Sequence, residues 1–346
     1  MRNLRLSGAL LSAVTLSMAH AAARVSACAA LLLAALALAA TGASALAPGQ
    51  SFGLGDQDNP AAAFSDPRAK ALKPTLSRYI AEWDVALRPG EERDRVDRWY
   101  AAAVRNRARM LVAFGSFMRD GPTPSKYRAG LRAFKARYPQ ATEWEPVNEA
   151  NHSTQPSWSS PWYAAQLVRS ARSVCPRCTL VQVSIVLDTG GSARYAKSLI
   201  EALPRSERRR IRFGLHTYSD TNNMQSTALV RFLNAFPRGR VWITEASALA
   251  RYLPDFPFNL SQQARTTPLV FRQAIAARAR VQRLYWYEWD GSPDPLAQWD
   301  SGLIAADGTA RPAYAIALRE RFRKTLTRWQ LRANGLSVVR SASLPR

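Results

Sequence analysis

Short apolar segments rich in β-branched and aromatic residues alternate along the sequence with amphipathic helical segments, and this alternation limits the fold more than any other feature. Repeated strand–helix units form a parallel sheet, because each helical crossover returns the chain to start the next strand in the same direction. We predict an α/β protein, a single (β/α)8 TIM barrel. Its predicted strands span residues 51–55, 78–83, 110–114, 142–148, 180–186, 211–218, 240–244 and 283–289.

Predicted helices fill the intervals between the strands. They span residues 92–107, 125–137, 162–174, 193–202, 227–235 and 262–280, and a last helix covers 311–326. The chain of 346 residues divides into an N-terminal segment, 1–47, a catalytic barrel domain, 48–333, and a tail, 334–346. A domain of this size suits one barrel. The tail is polar and basic, and we expect it to be flexible.

The segment 1–47 has the character of an export signal. Basic residues precede a first apolar run, and a second run without charge ends in small residues that fit signal-peptidase cleavage after Ala45. The second run is also long enough for an uncleaved membrane anchor. A lipobox-like sequence ending at Cys28 offers a third route, although Arg24 and the long apolar stretch argue against it. We predict an exported protein, either secreted, periplasmic or at the cell surface.

The formal net charge of the chain is +23 at pH 7. Such a charge favours anionic partners. Because no nucleic-acid-binding signature accompanies the charge and the protein is predicted to be exported, we expect no nucleic-acid partner. We instead expect a monomer with weak attachment to anionic polymers of the cell envelope.

Cys175 and Cys178 form a Cys-x-x-Cys motif between a predicted helix and a predicted strand. A redox motif of this type normally opens a helix after a strand, and one pair of cysteines is too few for a four-ligand zinc site. We predict a structural disulfide in an oxidising compartment.

The carboxyl ends of the strands, with the loops that follow them, build the active site of such a barrel. At these positions the sequence places acids, amides and aromatic residues, which together are typical of a carbohydrate cleft. The candidate site residues are Asp56, Trp83, Asn148, Glu149, His216, Tyr218, Glu245, Trp286 and Trp289.

Glu149 and Glu245 are the most informative of these residues. Glu149 follows the fourth predicted strand and Glu245 ends the seventh, so their carboxylates share one end of the barrel. Two such carboxylates are the chemical minimum for hydrolysing a glycosidic bond. Each has a plainer structural explanation, Glu149 as a helix-start carboxylate and Glu245 as half of a salt bridge. Their joint placement favours catalysis.

Four segments resemble the clan of retaining glycoside hydrolases on (β/α)8 barrels. Trp-Glu-Pro-Val-Asn-Glu-Ala-Asn at 144–151 is similar to the strand-four motif of that clan, and Trp-Ile-Thr-Glu at 242–245 is similar to the strand-seven motif. Residues 215–218 resemble a strand-six His-x-Tyr, and 284–289 resemble strand eight, where an aromatic residue lines the subsite of the cleaved sugar.

The resemblance implies that Glu149 is the acid/base and Glu245 the nucleophile, with carboxyl groups about 5–5.5 Å apart. Glu149 would then have a raised pKa, because the charge of Glu245 and partial burial both disfavour its ionised form. The resemblance implies no cofactor. The three histidines are dispersed, so we expect no metal.

The other site residues receive roles in the same way. Asn148 would bond the sugar 2-hydroxyl, and the hydroxyl of Tyr218 would hold Glu245. His216 would position Glu149 or the sugar, with a buried core histidine as the alternative. The remaining substrate-binding candidates are Trp286, Trp289, Asp56 and Trp83, and for Asp56 a structural ion pair explains the residue equally well.

These features predict an exported glycoside hydrolase that cleaves O-glycosidic bonds of a poly- or oligosaccharide by retaining double displacement. The alternative is a non-catalytic carbohydrate-binding barrel attached to the cell envelope, because function resides in the site and not in the fold. The sugar, the linkage and the choice between endo and exo action stay open.

Overall fold

The computed structural model describes residues 46, 50–116, 120–188 and 190–323. Nine strands form one parallel sheet, and two more form a small antiparallel sheet. The strands are β1 Ser51–Gly55, β2 Leu76–Glu82, β3 Arg109–Gly115, β4 Glu143–Glu145, β5 Thr179–Leu180, β6 Val183–Val186, β7 Arg212–His216, β8 Arg240–Ala246, β9 Arg251–Tyr252, β10 Val281–Tyr287 and β11 Trp299–Asp300.

The large sheet has the strand order β5-β4-β3-β2-β1-β10-β8-β7-β6. Its two end strands, β5 and β6, are consecutive in the chain and are separated only by Val181 and Gln182. Together they act as one barrel strand, which pairs with β4 through β5 and with β7 through β6. The sheet therefore closes on itself, and the predicted (β/α)8 fold is confirmed.

Helices follow the strands around the outside of the barrel. Three of the longer ones begin at a proline, where a missing N–H group costs no helical hydrogen bond. The helices are α1 Ala62–Ser65, α2 Pro67–Ala71, α3 Glu91–Arg105, α4 Pro124–Arg137, α5 Pro161–Val174, α6 Ser192–Ala202, α7 Arg205–Arg208, α8 Tyr218–Asn222, α9 Thr227–Ala235, α10 Leu260–Ala276 and α11 Pro312–Arg321.

Three of the strands that lead to the site end earlier than the sequence predicts, whereas β8, which carries Glu245, continues to Ala246. The predicted strand 142–148 is ordered as β4 only to Glu145, and the next residue is a proline, which has no N–H group to continue the ladder. Likewise, β7 ends at His216 and β10 at Tyr287. In each case the residues beyond the strand leave the sheet and enter the connections at the mouth of the barrel.

The hydrophobic core has two parts. The outer part lies between sheet and helices, where Phe114 packs edge-on against Phe134 and Trp144, with ring centroids 5.0 and 5.6 Å apart. The inner part fills the barrel with Leu76, Leu111, Val181, Trp242 and Tyr285. This apolar plug closes the barrel beneath the mouth.

Polar side chains also enter the barrel interior. A Cβ atom on Gly214 of β7 would lie 2.4 Å from Oε1 of Glu145. Glycine at this position therefore leaves the space that the fully buried side chain of Glu145 occupies.

The segments outside the barrel lie largely beyond the described residues. Of the predicted export segment only Leu46 is described, and it is buried in the outer core, two residues before the predicted domain boundary. The predicted tail and the last three residues of the predicted helix 311–326 also lie outside the described residues. Among the helices that are described, none has the length and apolar character needed to cross a membrane.

Cys175 and Cys178 form a disulfide whose Cα atoms are 5.3 Å apart. The bridge lies between the end of α5 and the start of β5, so the predicted pairing and its position between helix and strand are confirmed.

Candidate active site

Glu149 and Glu245 lie together at the carboxyl end of the barrel. Three atoms lie within 4.8 Å of one another: one carboxylate oxygen of each glutamate and an imidazole nitrogen of His216. The side chain of Glu245 is only 4% exposed, whereas that of Glu149 is 20% exposed. The two carboxylates thus share one site but differ in their access to solvent.

The backbone of Glu149 has a left-handed conformation, with φ of 46°. This conformation is unfavourable for a residue with a side chain, and it persists where the surroundings enforce it. The N–H of Asn148 donates to the carbonyl of Phe114, and the N–H of Ala150 donates to the carbonyl of Ser184, both at 2.8 Å. Hydrogen bonds to β3 and β6 therefore fix both neighbours of Glu149.

Arg78 lies beneath the two glutamates and is almost completely buried. Its guanidinium donates to Glu145 at 2.7 Å, to Glu245 at 2.5 Å and to Oδ1 of Asn148 at 2.7 Å. Burial lowers the pKa of Arg78, but the charges of Glu145 and Glu245 raise it more, so the net pKa is raised. One cation thus orients three side chains from two other strands and the loop after β4.

Glu245 receives hydrogen bonds on both oxygens. Oε1 accepts from Arg78, and Oε2 accepts from the hydroxyl of Tyr218 at 2.7 Å and lies 3.4 Å from Nδ1 of His216. The two hydrogen-bond donors and the nearby imidazole nitrogen fix the position of this carboxylate. The predicted contact between Tyr218 and Glu245 is present in this geometry.

His216 is completely buried between the two glutamates. Its Nδ1 is 2.9 Å from Oε1 of Glu149, and because both carboxylates are acceptors, Nδ1 carries a proton. Burial lowers the pKa of His216, but the charge of Glu245 and the hydrogen bond to Glu149 raise it more, so the net pKa is raised. This arrangement favours the imidazolium form.

The pKa of Glu149 differs from the sequence-based expectation. Burial raises it, but the hydrogen bond and charge of His216 lower it more, with smaller contributions from His152 and Arg78, and the net pKa is lowered. The expectation of a raised pKa considered Glu245 but not an imidazolium in direct contact. The lowered pKa of Glu149 and the raised pKa of His216 both favour a proton on His216 over one on Glu149.

The site contains the ligand types of a metal site. One donor atom each from Glu149, His216 and Glu245 lies close to the other two. The surrounding charge opposes a cation, because the guanidinium of Arg78 already lies 2.5 Å from Glu245. Nδ1 of His216 also carries a proton here and has no lone pair to give. The arrangement fits acid–base chemistry better than metal binding.

Two predicted substrate-binding aromatics do not reach the mouth. Trp286 is fully buried and stacks on Phe271 of α10, with ring centroids 6.1 Å apart, and Trp289 is fully buried against Tyr314 of α11. Trp83 is half-buried and packs on Tyr127 of α4 at 6.3 Å. All three rings therefore pack against side chains of the helical layer.

Asp56 also contacts the backbone of the fold. Its carboxylate accepts hydrogen bonds from the backbone N–H groups of Asn59, Trp289 and Asp290 at 2.7, 3.1 and 2.9 Å. Burial raises the pKa of Asp56 to about 7, and the backbone hydrogen bonds from Asp290 and Asn59, which lower it, offset only part of this effect. The residue joins the loop after β1 to the loop after β10.

Residues that the sequence analysis did not select complete the site. Arg78 is one, and its signal was a charged residue directly before the apolar residues 79–81 of the predicted strand. Trp299 of β11 is another, which meets Tyr218 edge-on at 4.6 Å and Tyr252 at 5.5 Å. No local pattern revealed Trp299, because the antiparallel pairing of β9 with β11 places it there.

A third carboxylate lies next to the pair. Glu288 follows Tyr287 at the end of β10, and the peptide bond between them is cis. Burial raises the pKa of Glu288 well above its usual range, and the charges of Asp56 and Asp58 add to the effect. The environment of Glu288 therefore favours its protonated form.

Six large hydrophobic side chains are exposed among the described residues. Each lies on a segment that leads from a strand of the large sheet to the next long helix, or in the first turn of that helix. They are Leu87, Trp158, Trp162, Met224, Phe258 and Leu296. These segments lie on the side of the mouth, so their apolar side chains are available to a ligand there.

No family model matches the sequence, and no curated protein matches it. Solved structures do share its fold. A GH10 endoxylanase from a sugarcane soil metagenome is 13% identical, with 81% of this chain and 99% of that chain covered and a TM-score of 0.57. Xylanase B from Clostridium stercorarium F9 is 15% identical, with 78% and 96% covered and a TM-score of 0.55.

A family 39 glycoside hydrolase from Bacteroides cellulosilyticus WH2 is also similar. It is 15% identical, with 79% of this chain and 64% of that chain covered and a TM-score of 0.56. At these identities the similarity establishes the barrel. The predicted resemblance to glycoside hydrolases of this architecture is thus confirmed at the level of the fold.

Proposed function

We propose that this protein is an exported glycoside hydrolase that cleaves O-glycosidic bonds of a polysaccharide with retention of configuration. The observation that carries the proposal is the pair Glu149 and Glu245, whose carboxylate oxygens lie within 4.8 Å at the mouth of the barrel. One oxygen of each carboxylate thus lies within 4.8 Å of the other, which agrees with the separation of about 5–5.5 Å in retaining enzymes.

In the first step Glu245 attacks the anomeric carbon, and the bond to the leaving oxygen breaks as that oxygen receives a proton from Glu149. A covalent glycosyl–enzyme ester results. In the second step Glu149 removes a proton from water, and the water oxygen displaces Glu245 from the sugar. Arg78 and Tyr218 hold Glu245 in place through both steps.

His216 supplies the proton that Glu149 lacks in the free site. The charge of Glu245 is the largest contribution that raises the pKa of His216, and this charge disappears as the ester forms. The pKa of His216 therefore falls during the first step, which drives its proton toward Glu149 across 2.9 Å. The reverse transfer accompanies hydrolysis of the ester, so the pair acts as one acid–base unit.

Asn148 is placed to bind the sugar next to Glu245. The side-chain oxygen of Asn148 accepts a hydrogen bond from Arg78, which fixes the orientation of the amide. Nδ2 then remains as the donor for a sugar hydroxyl. Such a bond to the 2-hydroxyl would strengthen as positive charge develops in the transition state.

The exposed aromatic residues favour a polymeric substrate. Trp158 and Trp162 are 55% and 62% exposed and lie on the connection from Glu149 into α5. That connection is firmly anchored, since the Ser157 hydroxyl donates to the carbonyl of Ala150 at 2.9 Å. Indole faces on a rigid support next to the acid suit the sugar units on the leaving-group side.

The alternative, a carbohydrate-binding barrel without activity, lacks a reason for the buried charge network around Glu245. A panel of aryl glycosides and polysaccharides tests the proposal, with Glu245→Gln as the control. Hydrolysis by the unaltered protein that is lost in the variant supports a hydrolase. Binding without hydrolysis by both proteins would support the alternative.

A further inference from the structure

The two ends of the barrel carry opposite charge. Connections that lead into strands lie at the amino end of the barrel, and those into β7, β8 and β10 are rich in exposed arginine. Examples are Arg208, Arg209, Arg210, Arg238 and Arg278. Glu207 is the one carboxylate in these three connections, and Arg172 already neutralises it at 2.7 Å.

The connections that follow strands have the opposite character. They lie at the mouth with the active site, and the exposed charged side chains there are mainly acidic. Examples are Asp58, Asp188, Asp255, Asp294 and Asp307. A molecule with this asymmetry turns its amino end toward a polyanion and its active site away from it.

Positive charge at the amino end extends into the barrel. Arg109 and Arg283 both bind the carboxylate of Glu143. Arg212 lies over the ring of Trp242 at 4.9 Å, and its Nε is buried without a hydrogen-bond partner among the described residues. Even where these arginines are paired, the amino end therefore has more guanidinium groups than carboxylates.

An open cleft accompanies the charge. It has a volume of about 270 Å³, lies between the starts of β3 and β4, and is lined in part by Arg107, Arg109 and Glu143. Two of these three side chains carry guanidinium groups, whose planar donors match the oxygen atoms of carboxylates and of phosphates. Charge spread over several connections as well as this cleft suits a polymer with repeated negative groups better than one small ion.

We propose that the amino end of the barrel is a docking surface for a carboxylate-rich polysaccharide, such as a polyuronate. The acidic mouth repels the same polymer, so the polymer anchors the enzyme and is not its substrate. The inference is independent of the proposed hydrolase activity, because it concerns binding at the opposite end of the molecule.

Affinity electrophoresis of the full-length protein in gels that contain polygalacturonate, neutral dextran or neither tests this proposal. The double variant Arg209→Glu, Arg238→Glu removes charge from the amino end. The matched control is Arg194→Glu, Arg265→Glu, which makes the same change of charge on exposed positions in α6 and α10 near the mouth. Equal melting temperatures would establish that both variants fold.

We expect retardation by polygalacturonate at low salt, none by dextran, and roughly tenfold weaker binding in the amino-end variant than in the control. Binding should decline as salt is raised, because exposed charges are screened. Equal weakening of both variants would overturn the proposal, since net charge would then explain the binding. Tighter binding to DNA or to anionic vesicles than to polygalacturonate would overturn the class of partner.

Discussion

The imidazole of His216 donates to the carboxylate of Glu149 across 2.9 Å, and the same nitrogen lies 3.4 Å from Glu245. One buried group thus links the two carboxylates of the site and determines where their shared proton resides. In the mechanism that we propose, the acid Glu149 is therefore charged in the resting state and becomes protonated as Glu245 reacts.

This linkage predicts how the stability of His216→Asn depends on pH. The pKa of His216 is raised in the folded state, so its stabilising contribution is complete below its ordinary value of about 6.5 and is lost as pH rises through the raised value. The pKa of Glu149 is lowered, so its contribution is present above about 4.5 and is lost as pH falls through the lowered value.

We therefore expect His216→Asn to lower the free energy of unfolding most between about pH 4.5 and 6.5, by about 2 kcal/mol. The loss should shrink toward high pH. Urea unfolding across the pH range measures this difference. His152→Asn is the control, because His152 is exposed and its nitrogen lies 3.9 Å from Glu149. A loss that does not vary with pH would contradict the account.

Arg78 should be essential for stability as well as for activity. Arg78→Met leaves the buried carboxylates of Glu145 and Glu245 without their cation, and we expect a loss of about 3–5 kcal/mol. Arg95→Met, which breaks only surface ion pairs of α3, should cost less than about 1 kcal/mol. Denaturant unfolding of both variants provides the comparison.

A second change separates the two roles of Arg78. Adding Glu145→Gln to Arg78→Met removes one of the stranded charges, so part of the stability should return. Activity should stay lost, because Glu245 still lacks its donor on Oε1. Recovery of activity together with stability would mean that Arg78 acts on the fold alone.

Asp56→Ala should destabilise the protein by about 2–3 kcal/mol, because three backbone N–H groups lose their common acceptor. Asp56→Asn keeps an acceptor oxygen and should cost less. If the residue served mainly to bind substrate, both variants would retain the melting temperature of the unaltered protein and differ in KM instead.

Trp158→Ala should weaken the use of polysaccharide but not of small aryl glycosides. Lost stacking on the leaving-group side would raise KM for the polymer roughly tenfold, equivalent to about 1.4 kcal/mol. Leu296→Ala is the control, since it removes an exposed apolar side chain from the same mouth without removing an aromatic face. An equal effect on both substrate types would argue against a polymer subsite.

The sequence predicted the barrel because its periodicity is local, and every predicted strand has a counterpart in the sheet. It also selected Glu149 in the connection after β4, together with His216 and Glu245, which lie at or next to the carboxyl ends of β7 and β8. Trp286 and Trp289 were expected to line the cleft, but both side chains are buried against α10 and α11. The aromatic-rich segment 284–289 does not itself indicate which of its side chains face the barrel interior and which face the helices.

The features of the site that the sequence did not predict depend on contacts between distant parts of the chain. The lowered pKa of Glu149 arises from His216, which is 67 residues away in sequence. Trp299 reaches Tyr218 only because two short strands pair outside the barrel. Neither contact leaves a pattern in the sequence near the residue concerned.

The central claim is that Glu245 is the nucleophile and Glu149 the acid/base, and azide rescue with an aryl glycoside tests it most directly. In Glu149→Ala, azide should replace water in the second step and give a glycosyl azide of retained configuration. In Glu245→Ala, azide should attack from the vacated face and give an inverted product. The anomeric configuration of each product, measured by NMR, decides between outcomes. The account predicts retention for the first variant and inversion for the second, and the opposite pairing would contradict it.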